Sequence, residues 1–395
     1  MTRILIPSHE FAPFHGGIAS LTEGLAAGTA AIGHEPIVLA PDYGGSHAVE
    51  DAARPYRVIR FAGSTCSMLS ADGLLRFATR IRRAVSAERP DVVHAADPQS
   101  HMALTALSRI GLAPRQYSCT VHGTELLRYR RELFLRLWMA RAFRRTARIA
   151  VVSEAVRGLL VGSRRLDESR IVVAPPGIAR DWQDGPAADR NAVRAEWHAA
   201  QDAVVLFTLS RLAADKGHED VIAALAVLGE DVRGRVLYVV AGAGAPAYAA
   251  RLTAAATAAD VRLLLLGEID DAAAMAACDA ADLFVMLSRR TDKRLEGFGI
   301  AYVEAAARGL PALARGTGGV KEAVRDGETG IVIPEDAGTV AVANAVRGLI
   351  ADAALRHRLG AGARRFAASF GWDRHAAIVF GADSRPAPLR NGAER

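Results

Sequence analysis

Residues 175–201 read PPGIARDWQDGPAADRNAVRAEWHAAQ, a stretch rich in proline, glycine and charge that interrupts an otherwise regular series. Upstream, short apolar runs recur: RILIPS (3–8), PIVLAP (36–41), RVIRFA (57–62), DVVHAA (91–96), YSCTVHG (117–123), RIAVVS (148–153) and RIVVAPPG (170–177). Downstream the series starts again with AVVLFTLS (203–210), VLYVVAG (236–242), RLLLLGE (262–268), DLFVMLS (282–288), LPALAR (310–315) and GIVIPE (330–335). Continuous apolar runs of this length suit strands covered on both faces. Between them, ASLTEGLAAGTAAIG and HEDVIAALAVLG place apolar residues three and four apart, as helices do. Alternating βα units build doubly wound parallel sheets. The expected fold is therefore α/β, with two Rossmann-like domains over 1–180 and 195–370, residues 175–201 as their linker, and a helical segment over 371–395. Open α/β sheets bind ligands at the carboxyl ends of their strands, so the expected site is a crevice where two such edges face each other.

Composition agrees with a large globular chain. Of 395 residues, 51% are apolar and 23% charged, enough to bury two cores. Cys66, Cys119 and Cys278 show no paired spacing, which points to free thiols, a reducing compartment and a cytoplasmic enzyme. The opening MTRILIPSHEF is too short an apolar run for a signal peptide, and no apolar stretch reaches the ~18 residues of a membrane span. A formal charge of +6 suits an anionic ligand or a membrane surface. No nucleic-acid-binding motif is seen, and the oligomeric state is not written in the sequence. The only lysines are Lys216, Lys293 and Lys321, every other basic residue being arginine. A retained lysine marks a place where a compact ammonium is wanted.

The loops after strands carry the candidate chemistry. Gly16 and Gly17, in HEFAPFHGGIASLTEG, either make a plain turn or let a phosphate approach a helix N-terminus. Arg211 and Lys216, in SRLAADKGHE, are either two solvated charges or a clamp on a diphosphate. The nominal dinucleotide fingerprint of Gly242, Gly244 and Ala247 follows the second strand of its domain, so it reads as a tight turn. In RLEGFGIAYVEAAARGLP (294–311), Glu296 sits in a loop and Glu304 one to two turns inside the following helix. Glu304 can hold a vicinal diol such as a ribose, or lie on a solvated helix face. Glu296 can reach a sugar, or pair with Arg294. A glycosidase pair is a third reading, and it requires ~5–10 Å between carboxyls.

The run EGFGIAYVEAAARGLPALARGTGGVKEAVRDGETGIVI closely resembles the donor-site signature of the retaining GT-B glycosyltransferases of family 4. SRLAADKGHED, VHGTEL, VVSEAV and GGIASL resemble that family's other landmarks in the same order, across essentially the whole chain. The resemblance implies roles position by position. Arg211 and Lys216 would hold the nucleotide diphosphate, and Glu304 the ribose hydroxyls. Glu296 would lie beside the transferred sugar, with Phe298, Gly299 and Ile300 offering backbone groups. His122 would approach the sugar near its reacting carbon, and Gly17 the β-phosphate and acceptor. Residues 267–269, Ile269 included, would contact the base. The last element would cross back onto the first domain around Trp372. Two departures stand out: Pro176, Gly177, Ile178 and Ala179 replace the family's usual Asn-Gly-Val-Asp, and RRTDKR before Glu296 is long, as in some members that act on lipid-linked or cell-envelope acceptors.

The implied reaction moves a hexosyl unit from a UDP- or GDP-linked sugar, held mainly by the second domain, to a hydroxyl of an acceptor held by the first. Natural products, glycans and lipid-linked molecules are the acceptor classes. Catalytic roles fall to His122, Glu296, Arg211 and Lys216. No metal or other cofactor is called for, there being no Asp-x-Asp. A sugar-nucleotide epimerase, a family member using a phosphorylated acceptor and a non-catalytic nucleotide-sugar binder are the alternatives. The basic stretch LLRYRRELFLRLWMARAFRRTAR (126–148) carries Leu133, Phe134, Leu137 and Trp138 at helical spacing. It reads as a core-facing helix with an arginine-rich solvent face, or as a membrane-surface helix that would hold the chain at the inner face of the membrane.

Overall fold

The computed structural model describes residues 1–14, 16–63, 71–114, 116–131, 133–163 and 166–381. They form two compact units, residues 1–177 with the chain from Gly371 onward, and residues 178–370.

All thirteen expected strands are present. In the first unit they are β1 (Arg3–Pro7), β2 (Glu35–Pro41), β3 (Arg57–Phe61), β4 (Val92–Ala95), β5 (Tyr117–Val121), β6 (Thr146–Val151) and β7 (Ile171–Val173). They pair in parallel in the order β3-β2-β1-β4-β5-β6-β7. The second unit holds β8 (Val204–Leu209), β9 (Val236–Ala241), β10 (Arg262–Gly267), β11 (Leu283–Met286), β12 (Ala312–Arg315) and β13 (Gly330–Ile333). Its order is β10-β9-β8-β11-β12-β13, again parallel throughout. Every residue of β9 is buried, while the edge strands β3 and β10 are partly exposed, as two-sided helix cover of a sheet requires.

Each sheet reverses its strand order once, between β1 and β4 and between β8 and β11. Helices leave for opposite faces there, so the loops after those strands splay apart and open a crevice. The loops after β8 and β11 carry Lys216 and Glu296 respectively.

From residue 178 on, the stretch read as a linker belongs to the second unit. Trp182 is buried, and Arg190 and Arg194 both reach Asp282 at the start of β11, Arg190 at 2.5 Å. Charge and proline marked it as a connector, yet Arg190 and Arg194 also donate to the carbonyls of Asp279, Ala280 and Ala281.

The helix Trp372–Phe380 packs on the helix Gly17–Ala31 of the first unit. Gly24 and Gly28, four apart, share one helix face and make a groove for it. A Cβ on Gly24 would lie 2.0 Å from the Trp372 ring, and one on Gly28 2.0 Å from the Trp372 carbonyl oxygen. His375 donates from Nδ1 to the carbonyl of Pro175 at 2.9 Å, and Arg148 donates to that of Ile378 at 2.9 Å. Residues 382–395 of the expected tail lie outside the described residues.

A methyl at Gly28 meets backbone and cannot be relieved by a rotamer change. Gly28→Ala is expected to destabilise the first unit by about 2–3 kcal/mol. Gly158→Ala, in an exposed helical position with open space around it, should instead stabilise by about 0.5–1 kcal/mol. Thermal melts of the two variants check this; an unchanged melt for Gly28→Ala removes the Trp372 packing.

Candidate active site

The second unit gathers charge at its strand-order reversal. Lys216 Nζ lies 2.6 Å from Glu296 Oε2, and Ser288 Oγ donates to the same oxygen at 2.7 Å. Lys216 and Glu296 side chains are only 15% and 14% exposed, so the pair is largely out of water. Burial opposes ionisation of Glu296. The Lys216 charge and hydrogen bond, the Ser288 hydroxyl and the Arg211 charge outweigh it and hold the carboxyl below the usual glutamate range. Both bonds land on Oε2, which leaves Oε1, among the described residues, free to accept from a hydroxyl. The ammonium keeps two further donors for a second anion. Arg211 is exposed and has no ion-pair partner among the described residues.

Close backbone packing builds this pocket. Gly318 (φ 55°) lies so near the Glu296 carbonyl that a Cβ would fall 2.2 Å from it, and Gly319 donates its N–H to that carbonyl at 3.0 Å. Gly217 and Gly299, both left-handed, precede the helices His218–Ala226 and Ile300–Ala307 without a side-chain cap. Asp220 and Tyr302 donate their N–H groups back to the carbonyls of Gly217 and Gly299, so the N–H groups of the first two residues of each helix remain available to an anion. Phe298 turns its ring inward against Phe370, at a centroid distance of 5.7 Å, and so offers the site backbone only. Asp220 holds Arg289, 2.6 Å away, and Arg315, 3.1 Å away, which braces the loop after β11.

Glu304 is half-buried on the helix Ile300–Ala307, and no described residue hydrogen-bonds or ion-pairs with it. Burial, with a contribution from Asp271, raises its pKa to about 8. Asp271 opens the helix Asp271–Ala280 just after Ile269, so Glu304 and the loop after β10 belong to one neighbourhood.

At the reversal of the first unit, Asp97 is fully buried. It accepts from Ser8 Oγ at 2.9 Å, the His9 N–H at 2.7 Å and the Ser100 N–H at 2.8 Å. The His9 ring stands 3.0 Å from Asp97 and 3.4 Å from Glu10. Burial disfavours charge on both His9 and Asp97, but their mutual attraction prevails, raising the imidazolium and lowering the carboxyl. His122 Nε2 stands 2.8 Å from the carbonyl of Ala96. A carbonyl only accepts, so Nε2 carries a proton and donates it there. Gly16 caps the helix Gly17–Ala31 with no side-chain bond, and a Cβ on Gly17 would meet open space.

Sequence reasoning gave Arg211 and Lys216 to a diphosphate and Glu296 to the sugar, and the structure brings Lys216 and Glu296 into contact, with the Arg211 charge acting on Glu296. It did not foresee that Lys216 and Glu296 pair directly. The expected alternative of Glu296 with Arg294 does not form: Arg294 stands 3.9 Å from Asp215 instead. Ser288, Gly318, Gly319, His9 and Asp97 were missed. Ser288 had a readable signal, as the first polar residue after the apolar run of β11. The glycines of the discounted fingerprint serve packing. A Cβ on Gly242 would lie 1.9 Å from the Ser210 carbonyl, and Gly244 bridges to Leu212. Of the three cysteines, Cys119 and Cys278 are free and buried, and Cys66 lies outside the described residues. Among the described residues no helix is long and apolar enough to cross a membrane, and no group of three or more His, Cys, Asp or Glu could hold a metal.

Two doubly wound parallel units with such a site define a GT-B enzyme architecture. A solved structure of HepE from Anabaena, in complex with UDP and glucose, has this fold with a TM-score of 0.78 at 19% identity, covering 95% of this chain and 97% of that one. The profile described as "Glycosyl transferases group 1" matches residues 189–366, and "Glycosyltransferase Family 4" matches residues 15–182. A GDP-mannose-dependent alpha-(1-6)-phosphatidylinositol monomannoside mannosyltransferase of Mycobacterium tuberculosis is 29% identical over 388 residues, 95% of this chain and 97% of the relative. A D-inositol 3-phosphate glycosyltransferase of Geodermatophilus obscurus is 34% identical over 224 residues, 54% of this chain and 47% of the relative. The chain belongs to the family 4 type of glycosyltransferases, enzymes that act on nucleotide sugars.

A carboxyl whose pKa rises from 4.5 to about 8 on folding makes its full contribution to stability below pH 4.5 and loses it progressively as pH rises from there to about 8. Glu304→Gln should therefore gain stability over the parent between pH 5 and pH 9, by up to a few kcal/mol. Parallel stability curves that stay equidistant across that range would show that Glu304 ionises freely.

Proposed function

We propose that the chain transfers a hexosyl unit from a nucleotide-diphosphate sugar to an acceptor hydroxyl, with retention of anomeric configuration. The observation that carries this reading is the Lys216–Glu296–Ser288 cluster beside the two uncapped helix N-termini. It offers an ammonium and N–H donors to a diphosphate and a carboxylate oxygen to sugar hydroxyls within one pocket. The names of the relatives favour GDP-mannose as the first donor to test and an inositol-containing acceptor. The loop after β10 and Glu304 are assigned to the nucleoside, the free carboxyl accepting from a ribose diol.

In this reading the bond between the anomeric carbon and the β-phosphate oxygen breaks while the acceptor oxygen bonds to the same face. The acceptor proton passes to the departing phosphate. Arg211, Lys216 and the helix N-termini stabilise charge as it grows on the leaving group, so no metal is called for. Glu296, fixed through Oε2, orients the sugar through Oε1 rather than attacking it. His122, held through Nε2 by the Ala96 carbonyl on the first unit, is assigned to a substrate hydroxyl. The compartment assigned is the cytoplasm, in keeping with the free thiols of Cys119 and Cys278.

Thermal shift with GDP, UDP, ADP and TDP selects the donor base, and a nucleotide-release screen over inositol and glycan acceptors then selects the acceptor. NMR of the product should show the anomeric configuration of the donor; an inverted product refutes the front-face path. Lys216→Ala should lower kcat by roughly 10²–10³-fold with a smaller rise in KM, because the charge it meets is largest in the transition state. A raised KM at unchanged kcat would show that Lys216 binds ground and transition states alike.

A further inference from the structure

The first unit carries an arginine-lined surface that the active-site reading leaves unused. The helices Pro98–Arg109 and Leu133–Arg145 pack against each other, and between them Arg109, Arg141, Arg144 and Arg145 line an open concavity of about 270 Å³. All four are exposed, and none has a carboxylate partner among the described residues. Other surface arginines find one: Arg57 pairs with Glu88, Arg157 with Glu168 and Arg251 with Glu219. The reason is compositional. Residues 98–116 and 133–148 contain no Asp or Glu at all, so the positive field there is uncompensated locally.

Apolar side chains frame these arginines. Ile110 is 67% exposed, Leu112 44% and Leu137 47%, and they are among the few large hydrophobic residues that face solvent. Ile110 follows Arg109 directly, and Leu137 precedes Arg141 by one turn. On the helix Leu133–Arg145, Leu137, Arg141, Arg144 and Arg145 share one face, while Leu135, Met139, Ala142 and Phe143 bury the opposite one. The helix is thus committed to the core on one side and presents cations mixed with an aliphatic on the other. Residues 110–116 lead into the first residue of β5, and the helix Leu133–Arg145 leads into the first of β6. The surface therefore lies toward the amino edge of the sheet, while His9, Asp97 and His122 stand at the carboxyl edge.

We propose that this surface docks the protein on an anionic phospholipid bilayer, with headgroup phosphates among the four arginines and Ile110, Leu112 and Leu137 entering the acyl boundary. Cations attract the surface potential of such a bilayer, and exposed aliphatics gain by leaving water. A single-stranded nucleic acid would also meet the charge, but it binds by stacking on aromatics, and among the described residues none of the exposed large hydrophobics on this surface is aromatic. The inference stands on the first unit alone and does not depend on the donor, the acceptor or the stereochemistry proposed above.

The test is flotation of the full chain with vesicles of phosphatidylcholine alone and of phosphatidylcholine mixed with phosphatidylglycerol. The protein should float with the mixed vesicles only, and less so as salt is raised. Arg141→Glu with Arg144→Glu should weaken binding on the order of 100-fold or more, because the two reversals change the charge by four units at ~1 kcal/mol per unit near the surface. Ile110→Ser with Leu112→Ser should weaken it several-fold while keeping the salt dependence. Both pairs lie at exposed positions, and an unchanged melting temperature with unchanged nucleotide binding certifies their folds. No flotation with mixed vesicles, equal flotation with neutral ones, or binding that survives the arginine reversal overturns the proposal. So does arginine-dependent binding of a single-stranded oligonucleotide by a protein that ignores vesicles.

Discussion

A carboxylate withdrawn from water must find a counter-charge and hydrogen-bond donors, and the architecture of the second unit can be read as the means by which Glu296 finds both. Its partners come from two strands' loops: Lys216 after β8, Ser288 and Glu296 itself after β11. Those strands are neighbours only because the sheet reverses its order between them. A third loop, after β12, then clamps the Glu296 backbone through Gly318 and Gly319. With the charge balanced on one oxygen, the other oxygen and the remaining ammonium donors are left for ligand. The pair orders the site and leaves each member with capacity to spare.

The first unit solves a similar problem with different residues. Asp97 is buried at the N-terminus of its helix, where the helix dipole, the Ser100 N–H and the His9 imidazolium all favour its charge. That arrangement fixes the chain leaving β1 just before the Gly16–Gly17 turn. Glycine then does at Gly16 what it does at Gly217 and Gly299, leaving a helix N-terminus without a side-chain cap. Both units thus offer backbone donors at a carboxyl edge, a common device for binding phosphate.

Much of this was legible in the sequence. Thirteen apolar runs became thirteen strands, because a strand covered on both faces must be apolar throughout, and that requirement acts on each segment alone. Lys216, one of three lysines, and the two glutamates of residues 294–311 stood out by type and spacing. Arg190 and Arg194 misled for a comparable reason. Local composition could not show that carbonyls and Asp282, far along the chain, would satisfy them.

The chain by itself determined the α/β class, the restart of the series near residue 203 and the loops that hold charge, since hydrophobic period and turn chemistry are local properties. Tertiary structure decided what those charges do. Lys216 and Glu296 are 80 residues apart, as are Asp97 and His9 by 88, and only the crossing of parallel strands brings such groups to 2.6 and 3.0 Å. The raised pKa of Glu304, the hydrogen bond of His122 to Ala96 and, among the described residues, the lack of a carboxylate partner for Arg109, Arg141, Arg144 and Arg145 arose in the same way. Each depends on what the fold places within a few ångströms, and electrostatic energy in a water-poor interior depends on that distance rather than on separation along the chain.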